Sequence, residues 1–168
     1  MFYTAQYPSP LGIITLVCDQ KALVALRLPG QTPFGKTAQI LPCPDSHPIL
    51  HKTARWLDRY FAGESVSAAE IPLAPEGTPF QKVIWKLLLE IPCGQTVTYG
   101  ALARKSAALL GKPRMSAQAV GGAVGANPIA IMIPCHRCLG AGSRLTGYAG
   151  GLHLKRTLLD LEGITYIT

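Results

Sequence analysis

The sequence has no apolar run approaching the roughly 20 residues that a membrane-spanning helix needs. Its opening stretch, MFYTAQYPSPLGIITLVCDQK, carries no basic leader, so neither export nor membrane insertion is expected. No long polar tract, low-complexity segment or internal repeat interrupts the 168 residues, of which 48% are hydrophobic, and a folded chain is expected rather than a disordered one. Cysteine is also scarce. Cys18, Cys43, Cys93, Cys135 and Cys138 are an odd number without the dense spacing of a disulfide-stapled secreted domain, and a reducing cytoplasm fits them better. Acidic residues are few, 9 against 16 Lys and Arg, for a formal charge of +7. Before residue 69 there are 6 basic and 4 acidic residues, and from there on 10 and 5, an excess of +2 against +5. The positive field therefore sits mostly in the second half, where it would attract a polyanion.

What is present reads as two lobes. The runs FYTAQYPSP, LGIITLVC and ALVALRL are short, rich in β-branched and aromatic residues and broken by turn residues, which predicts an antiparallel meander. The Pro- and Gly-rich GQTPFGKTAQILPCPDSHP predicts a loop. From Ile49 to Phe61, the apolar Ile49, Leu50, Ala54, Leu57 and Phe61 fall at helical spacing, with Gly63 following the end. The small and proline-bearing SAAEIPLAPEG marks a boundary, giving lobes 1–75 and 76–168.

The second lobe reads as mostly helical. Thr78-Pro79-Phe80-Gln81 is a helix start with a capping box. YGALARKSAALL and MSAQAVGGAVGA then form a second and a third helix in a helix-turn-helix pattern. The third helix has almost no side-chain bulk, through Ala117, Ala119, Gly121, Gly122, Ala123, Gly125 and Ala126. Interior glycine costs about 1 kcal/mol relative to alanine, so this slimness calls for either tight helix packing or close approach to a ligand or DNA groove. IAIMI predicts a buried strand ending at Pro134, and LHLKRTLLDLEG a final amphipathic helix closed by Gly163.

IMIPCHRCLG, residues 131–140, concentrates the reactive side chains. A redox Cys135-x-x-Cys138 would need a helix to begin behind its first cysteine, and LGAGS cannot supply one. A zinc site would use Cys135, His136, Cys138 and Cys93, but lacks a second ligand pair at matching spacing. His47 and His51 fit surface or partly buried positions. In the third reading Cys135 is a nucleophile. An ordinary thiol, with a pKa of about 8.5, needs a base such as His136 and a carboxylate to orient it. Glu162 is the candidate orienter, although by itself it reads as a solvated helix-end charge.

The segments GTPFQKVIWKLLLEIPCGQTVTYGALA, AVGGAVGANPIAIMIPCHR, LTGYAGG and LLDLEG, in this order, closely resemble the O6-alkylguanine-DNA alkyltransferases, or methylated-DNA–protein-cysteine methyltransferases. The match spans about residues 76–163, and the Asn-Pro…Ile-Pro-Cys-His-Arg block is its most specific part. The resemblance implies an α+β fold, with a ribonuclease-H-like N-terminal antiparallel sheet and helix and a winged-helix-like C-terminal lobe carrying a helix-turn-helix. It implies direct, irreversible, single-turnover repair. An O6-alkylated guanine, or an O4-alkylated thymine, is flipped from double-stranded DNA and its alkyl group passes to Cys135, with no cofactor or metal, by a cytoplasmic monomer that meets no membrane. Flipping is required because the O6 substituent lies inside the base stack.

By the same resemblance His136 deprotonates Cys135 through a water, Glu162 holds His136, Asn127 braces the turn before the cysteine strand, and Tyr99 rotates the nucleotide and donates toward the leaving base. Pro134, Cys138, Tyr148, Ala149, Gly150 and Val124 would wall the pocket. The carbonyls of Cys135 and Cys138 would accept from the exocyclic amine, and backbone N–H groups around Tyr148 would face O6. Thr98, Arg114, Ser116, Gln118, Ala119 and Gly122 would meet DNA, with the slim helix in the minor groove.

Two departures stand out. Gln118 occupies the place of the family's intercalating arginine, and the stretch ARKSAALLGKPRMSAQ is longer than usual, which makes Arg114 a candidate substitute. A binding-only relative would lack Cys135. A transcriptional regulator would need a further domain that 168 residues do not hold.

Overall fold

The computed structural model describes residues 1–35, 40–42 and 47–168. Its contacts divide the chain into two compact units, Met1–Glu76 with Pro128–Met132, and Gly77–Asn127 with Ile133–Thr168.

In the first unit the meander forms as its turns predict. Strands β1 (Phe2–Ser9), β2 (Gly12–Cys18) and β3 (Leu23–Arg27) pair antiparallel in sequence order. Gly12, at φ +113°, makes the β1–β2 turn in a conformation that L side chains resist. The expected loop contains a short strand, β4 (Ile40–Pro42), which pairs parallel with β1, so the sheet order is β3-β2-β1-β4. Residues 36–39 and 43–46 of that loop, Cys43 among them, lie outside the described residues.

Helix α1 (Pro48–Phe61) begins one residue earlier than the apolar spacing predicts. His47 is its N-cap, accepting from Ile49 N at 3.3 Å. It buries Leu50, Thr53, Trp56, Leu57 and Tyr60 rather than the stripe through Ile49, Ala54 and Phe61. The two large rings decide the rotation, because burying an aromatic or large aliphatic side chain gains about 1.5–3 kcal/mol. Trp56 also finds a partner for its indole N–H, the Ser67 carbonyl at 2.9 Å.

The second unit follows from its caps. Thr78 and Gln81 close a reciprocal capping box at 3.1 and 2.9 Å and start α2 (Pro79–Leu89). Thr98 caps α3 (Tyr99–Leu109), Ser116 caps α4 (Ala117–Gly125), and α5 runs Leu152–Leu161. Helices α3 and α4 are the helix-turn-helix. Trp85 of α2 donates to the Ala123 carbonyl of α4 at 2.8 Å, tying α4 to the unit's core. A two-stranded parallel pair, β5 (Val97–Thr98) with β6 (Cys138–Leu139), completes it.

IAIMI is buried as predicted but is not a strand. Only Ile129 bridges, to Leu26, and the chain then turns, with Met132 N donating to Ala130 O at 2.8 Å and Ile131 at φ +69°. A continuous apolar run looks the same whether it is a buried strand or a buried turn. Residues 128–132 belong to the first unit, while both neighbouring residues belong to the second.

Candidate active site

Cys135 opens a single turn of 3-10 helix, Cys135–Arg137, entered through Pro134 and left where Cys138 N donates to Cys135 O. This turn places two adjacent side chains on one buried feature. Cys135 is 6% exposed and His136 fully buried.

The base is built in layers behind the sulfur. His136 Nε2 bonds the Glu162 carboxylate, which leaves Nδ1 as the proton-accepting nitrogen, and Nδ1 is buried with no partner among the described residues. Glu162 is the C-cap of α5, but its side chain is 1% exposed, so it is no solvated end charge. Arg137, which the sequence reading gave no role, grips Glu162 Oε1 through Nη2 and through Nε at 2.8 Å, and donates to the Ile91 carbonyl at 2.7 Å. Burial pushes the Glu162 carboxyl up, but the hydrogen bonds and charges of His136 and Arg137 outweigh it and hold the group at about 2. Burial pushes His136 down despite Glu162. The imidazole is therefore neutral near pH 7 and ready to take a proton.

These shifts set an acid limit to stability. A folded His136 below its ordinary 6.5 means that the unfolded chain protonates first, so stability falls as pH drops below about 6.5. Glu162, depressed from 4.5 to about 2, gives full stabilisation above pH 4.5 and loses it as pH falls toward 2. A thermal-melting series is expected to show two descending limbs, the lower one worth roughly 3 kcal/mol. A Glu162→Gln variant whose curve keeps that lower limb would contradict the assignment.

Burial pushes the Cys135 thiol up, opposed by hydrogen bonds from Asn127 and Tyr148 and by the charge of Lys155. The sulfur is thus a thiol at rest, not the standing anion that a nucleophile suggests, and the three opposing groups are those that would steady the anion once His136 removes the proton. Asn127 also donates through Nδ2 to Ile133 O at 2.7 Å, bracing the chain just before the cysteine turn.

Lys155 escaped the sequence reading altogether. It is fully buried on α5, donates to the Cys138 carbonyl at 2.7 Å and lies 3.4 Å from Thr146 O. A signal for it existed. Lys155, Leu158, Leu159 and Glu162 recur at helical spacing, so both charged residues stand in the apolar stripe.

A cavity of about 340 Å³ is lined by Tyr99, Gly121, Val124, Gly125, Cys135, Gly147, Tyr148 and Ala149. That is the lower end of the roughly 300–1,000 Å³ range of small-molecule sites. Of the expected wall, Val124, Tyr148 and Ala149 are there, while Pro134, Cys138 and Gly150 are not. Cys138 turns its buried sulfur to the Tyr99 hydroxyl instead, and burial raises its thiol to about 12. Its carbonyl accepts from Lys155, and that of Cys135 from Cys138 N. Tyr99 OH accepts from Thr146 Oγ1 at 3.4 Å. Neither Cys135 nor Cys138 is in a disulfide, and no three His, Cys, Asp or Glu side chains cluster as metal ligands among the described residues.

On α4, Val120, Ala123 and Val124 face inward, while Gln118, Ala119 and Gly122 are exposed. A Cβ on Gly122 or Gly125 would meet nothing within 4 Å, so helix packing does not account for their smallness. The Ser116 and Thr98 hydroxyls are engaged as caps, accepting from Ala119 N at 3.2 Å and Ala101 N at 3.1 Å. Arg114 is exposed and off the Cys135 cavity.

A cysteine with its own buried base, on the wall of a cavity beside a helix-turn-helix whose second helix is slim along its exposed face, defines a class: proteins with a nucleophilic cysteine set beside a nucleic-acid-binding motif. Comparison gives that class its family. Residues 79–164 match the model of the 6-O-methylguanine DNA methyltransferase, DNA binding domain, and residues 2–75 that of the 6-O-methylguanine DNA methyltransferase, ribonuclease-like domain. The methylated-DNA–protein-cysteine methyltransferase of Haemophilus influenzae is 42% identical over 99% of this chain and 89% of its own, and that of Methanosarcina acetivorans 44% over 96% and 98%. The crystal structure of Mycobacterium tuberculosis OGT in complex with DNA superposes with a TM-score of 0.84 at 40% identity, covering 96% of this chain and 93% of that one. The chain belongs to the methylated-DNA–protein-cysteine methyltransferase family. Among the described residues no helix is long and apolar enough to cross a membrane.

Proposed function

We propose that this protein repairs DNA by moving the alkyl group of O6-alkylguanine onto Cys135. The observation that carries the reading is Cys135 on the wall of a nucleobase-accommodating cavity with the His136–Glu162–Arg137 chain behind it. DNA repair by methyl transfer from O6-methylguanine to cysteine is the activity of the family, and DNA is the partner.

In the proposed step the Cys135 proton passes through a water to His136 Nδ1, and Glu162, ionised beside Arg137, steadies the imidazolium. The sulfur attacks the alkyl carbon. The S–C bond forms, the C–O6 bond breaks, and its electron pair enters the purine, where the Tyr99 hydroxyl supplies a proton or hydrogen bond. Burial pushes the Tyr99 hydroxyl up, which keeps it a donor. Backbone N–H groups near Tyr148 and Ala149 face O6, and the Cys135 carbonyl faces the exocyclic amine. O4-alkylthymine, a smaller base with the same kind of leaving group, enters the same cavity. The thioether formed has no route back, so each chain acts once, as a cytoplasmic monomer without cofactor. The bare face of α4, through Ala119 and Gly122, lies in the minor groove.

Intact-mass measurement after incubation with a duplex bearing O6-methylguanine tests this directly. A gain of one methyl on the Cys135 peptide is expected. Tight binding with no gain would make the protein a damage-binding relative instead.

Gln118 is the second residue of α4, where the family's intercalating arginine stands, and it is shorter and uncharged. Gln118→Arg is therefore expected to tighten binding to lesion-bearing duplex by about 1 kcal/mol, roughly fivefold, and to speed transfer. Unchanged or slower transfer would show that the flipped base is replaced by some other group.

A further inference from the structure

The missing cation at Gln118 raises the question of what else holds DNA, and a second cavity offers an answer. It measures about 250 Å³ and is lined by Ala103, Arg104 and Ala107 of α3 and by Lys112, Arg114 and Met115 of the connection to α4. No acidic residue stands on its wall. All three cations are exposed, and none of them pairs with a carboxylate among the described residues.

Their placement is fixed by backbone rather than by chance. Helix α3 ends with Gly111 at φ +64°, where Gly111 N donates to Ala108 O at 3.3 Å and Lys112 N to Ala107 O at 2.9 Å. The second of these hydrogen bonds ties Lys112 to the last turn of α3, and Pro113 fixes its own φ and restricts Lys112 before it. Arg104 folds back along its own helix. Its Nη1 lies 3.6 Å from where a Cβ on Gly100 would sit, which brings the guanidinium beside the turn that carries Tyr99. Arg114 precedes the Ser116 cap by two residues, so it stands outside α4. The residue offered to the base stack from the first turn of α4 is Gln118, not Arg114.

The geometry points to Arg104, Lys112 and Arg114 as a phosphate clamp for the backbone of duplex DNA. Strung along α3 and its connection to α4, two guanidinium forks and an ammonium suit successive phosphates of one strand, which arginine binds in a bidentate manner. This rests on the DNA-repair reading and deepens it: non-specific grip comes from the lengthened α3–α4 connection, and it is delivered at the helix that carries Tyr99. Arg114 then holds the backbone rather than replacing the intercalating arginine.

The test is the salt dependence of binding to an unmodified duplex and to the same duplex with O6-methylguanine. Each phosphate neutralised adds about 0.9 to the slope of log affinity against log salt, so Arg104→Gln/Lys112→Gln/Arg114→Gln is expected to flatten it by about 2.7. A fourfold rise in salt then weakens the variant about 40-fold less than the wild type, on both duplexes alike. Arg104→Lys/Arg114→Lys, which keeps the charge, is expected to retain the wild-type slope. Should the triple variant fold poorly, each single Gln variant is expected to lose about 0.9. An unchanged slope in the Gln variants overturns the clamp, as does a loss confined to the O6-methylguanine duplex or an equal loss in the Lys variant. If the wild type itself binds neither duplex, it is the DNA-repair reading that fails.

Discussion

Cys135→Ala is expected to abolish methyl transfer outright while duplex DNA still binds. Among the described residues no other cysteine lines the cavity. Cys138 is the neighbouring thiol, but it is fully buried, absent from the cavity wall, turned toward Tyr99 and raised to about 12. Removing one buried sulfur leaves a small void, costing about 1 kcal/mol, too little to unfold the chain. Intact mass and peptide mapping after incubation with O6-methylguanine duplex read the loss, and an electrophoretic shift reads the retained binding. Methyl appearing on Cys138 in this variant would mean that the cavity admits a second acceptor and that the assignment of Cys135 is incomplete.

Arg137→Ala is expected to destabilise the protein by about 3–5 kcal/mol, the usual penalty for leaving one half of a buried ion pair alone. Glu162 would face only a neutral imidazole from within a site where its side chain is 1% exposed, and the Ile91 carbonyl would lose its donor. The midpoint of chemical denaturation should fall with little change in slope. Electrostatic coupling is separated from lost packing by the double variant with Glu162→Gln. That change neutralises the stranded carboxylate, so the pair should be less damaging than the sum of its singles. Strict additivity, or a loss below about 1 kcal/mol for Arg137→Ala, would show that the guanidinium is not what keeps Glu162 ionised.

Local rules carried much of the fold. The Thr78–Gln81 box and the Gly63 and Gly163 stops were legible because each depends on residues within one turn, whereas Thr98 and Ser116, read as DNA contacts, emerged as helix caps only in the structure. IAIMI misled because burial on every side erases the periodicity that separates strand from turn. Strand β4 was hidden in a loop-like composition, since three residues pairing with a distant partner leave no local pattern. In the site, Cys135 and His136 were recognisable by type and adjacency. Glu162 was assigned through resemblance, and Arg137 and Lys155 were missed. Their partners, Ile91 O, Cys138 O and Thr146 O, lie on other segments, and no sequence spacing announces which carbonyl will meet a buried cation.

The return of Pro128–Met132 to the first unit bears on how the chain can be recombined. Leu26 N donates to Pro128 O at 3.0 Å and Ala130 N to Leu26 O at 3.2 Å, so those five residues complete the edge of β3 although they come far later in the sequence. A chimera joined once, at 76/77, would marry one parent's β3 to the other's edge. Shuffling that keeps each unit whole has to cross over at three points, 76/77, 127/128 and 132/133, and only such chimeras preserve both sets of native neighbours.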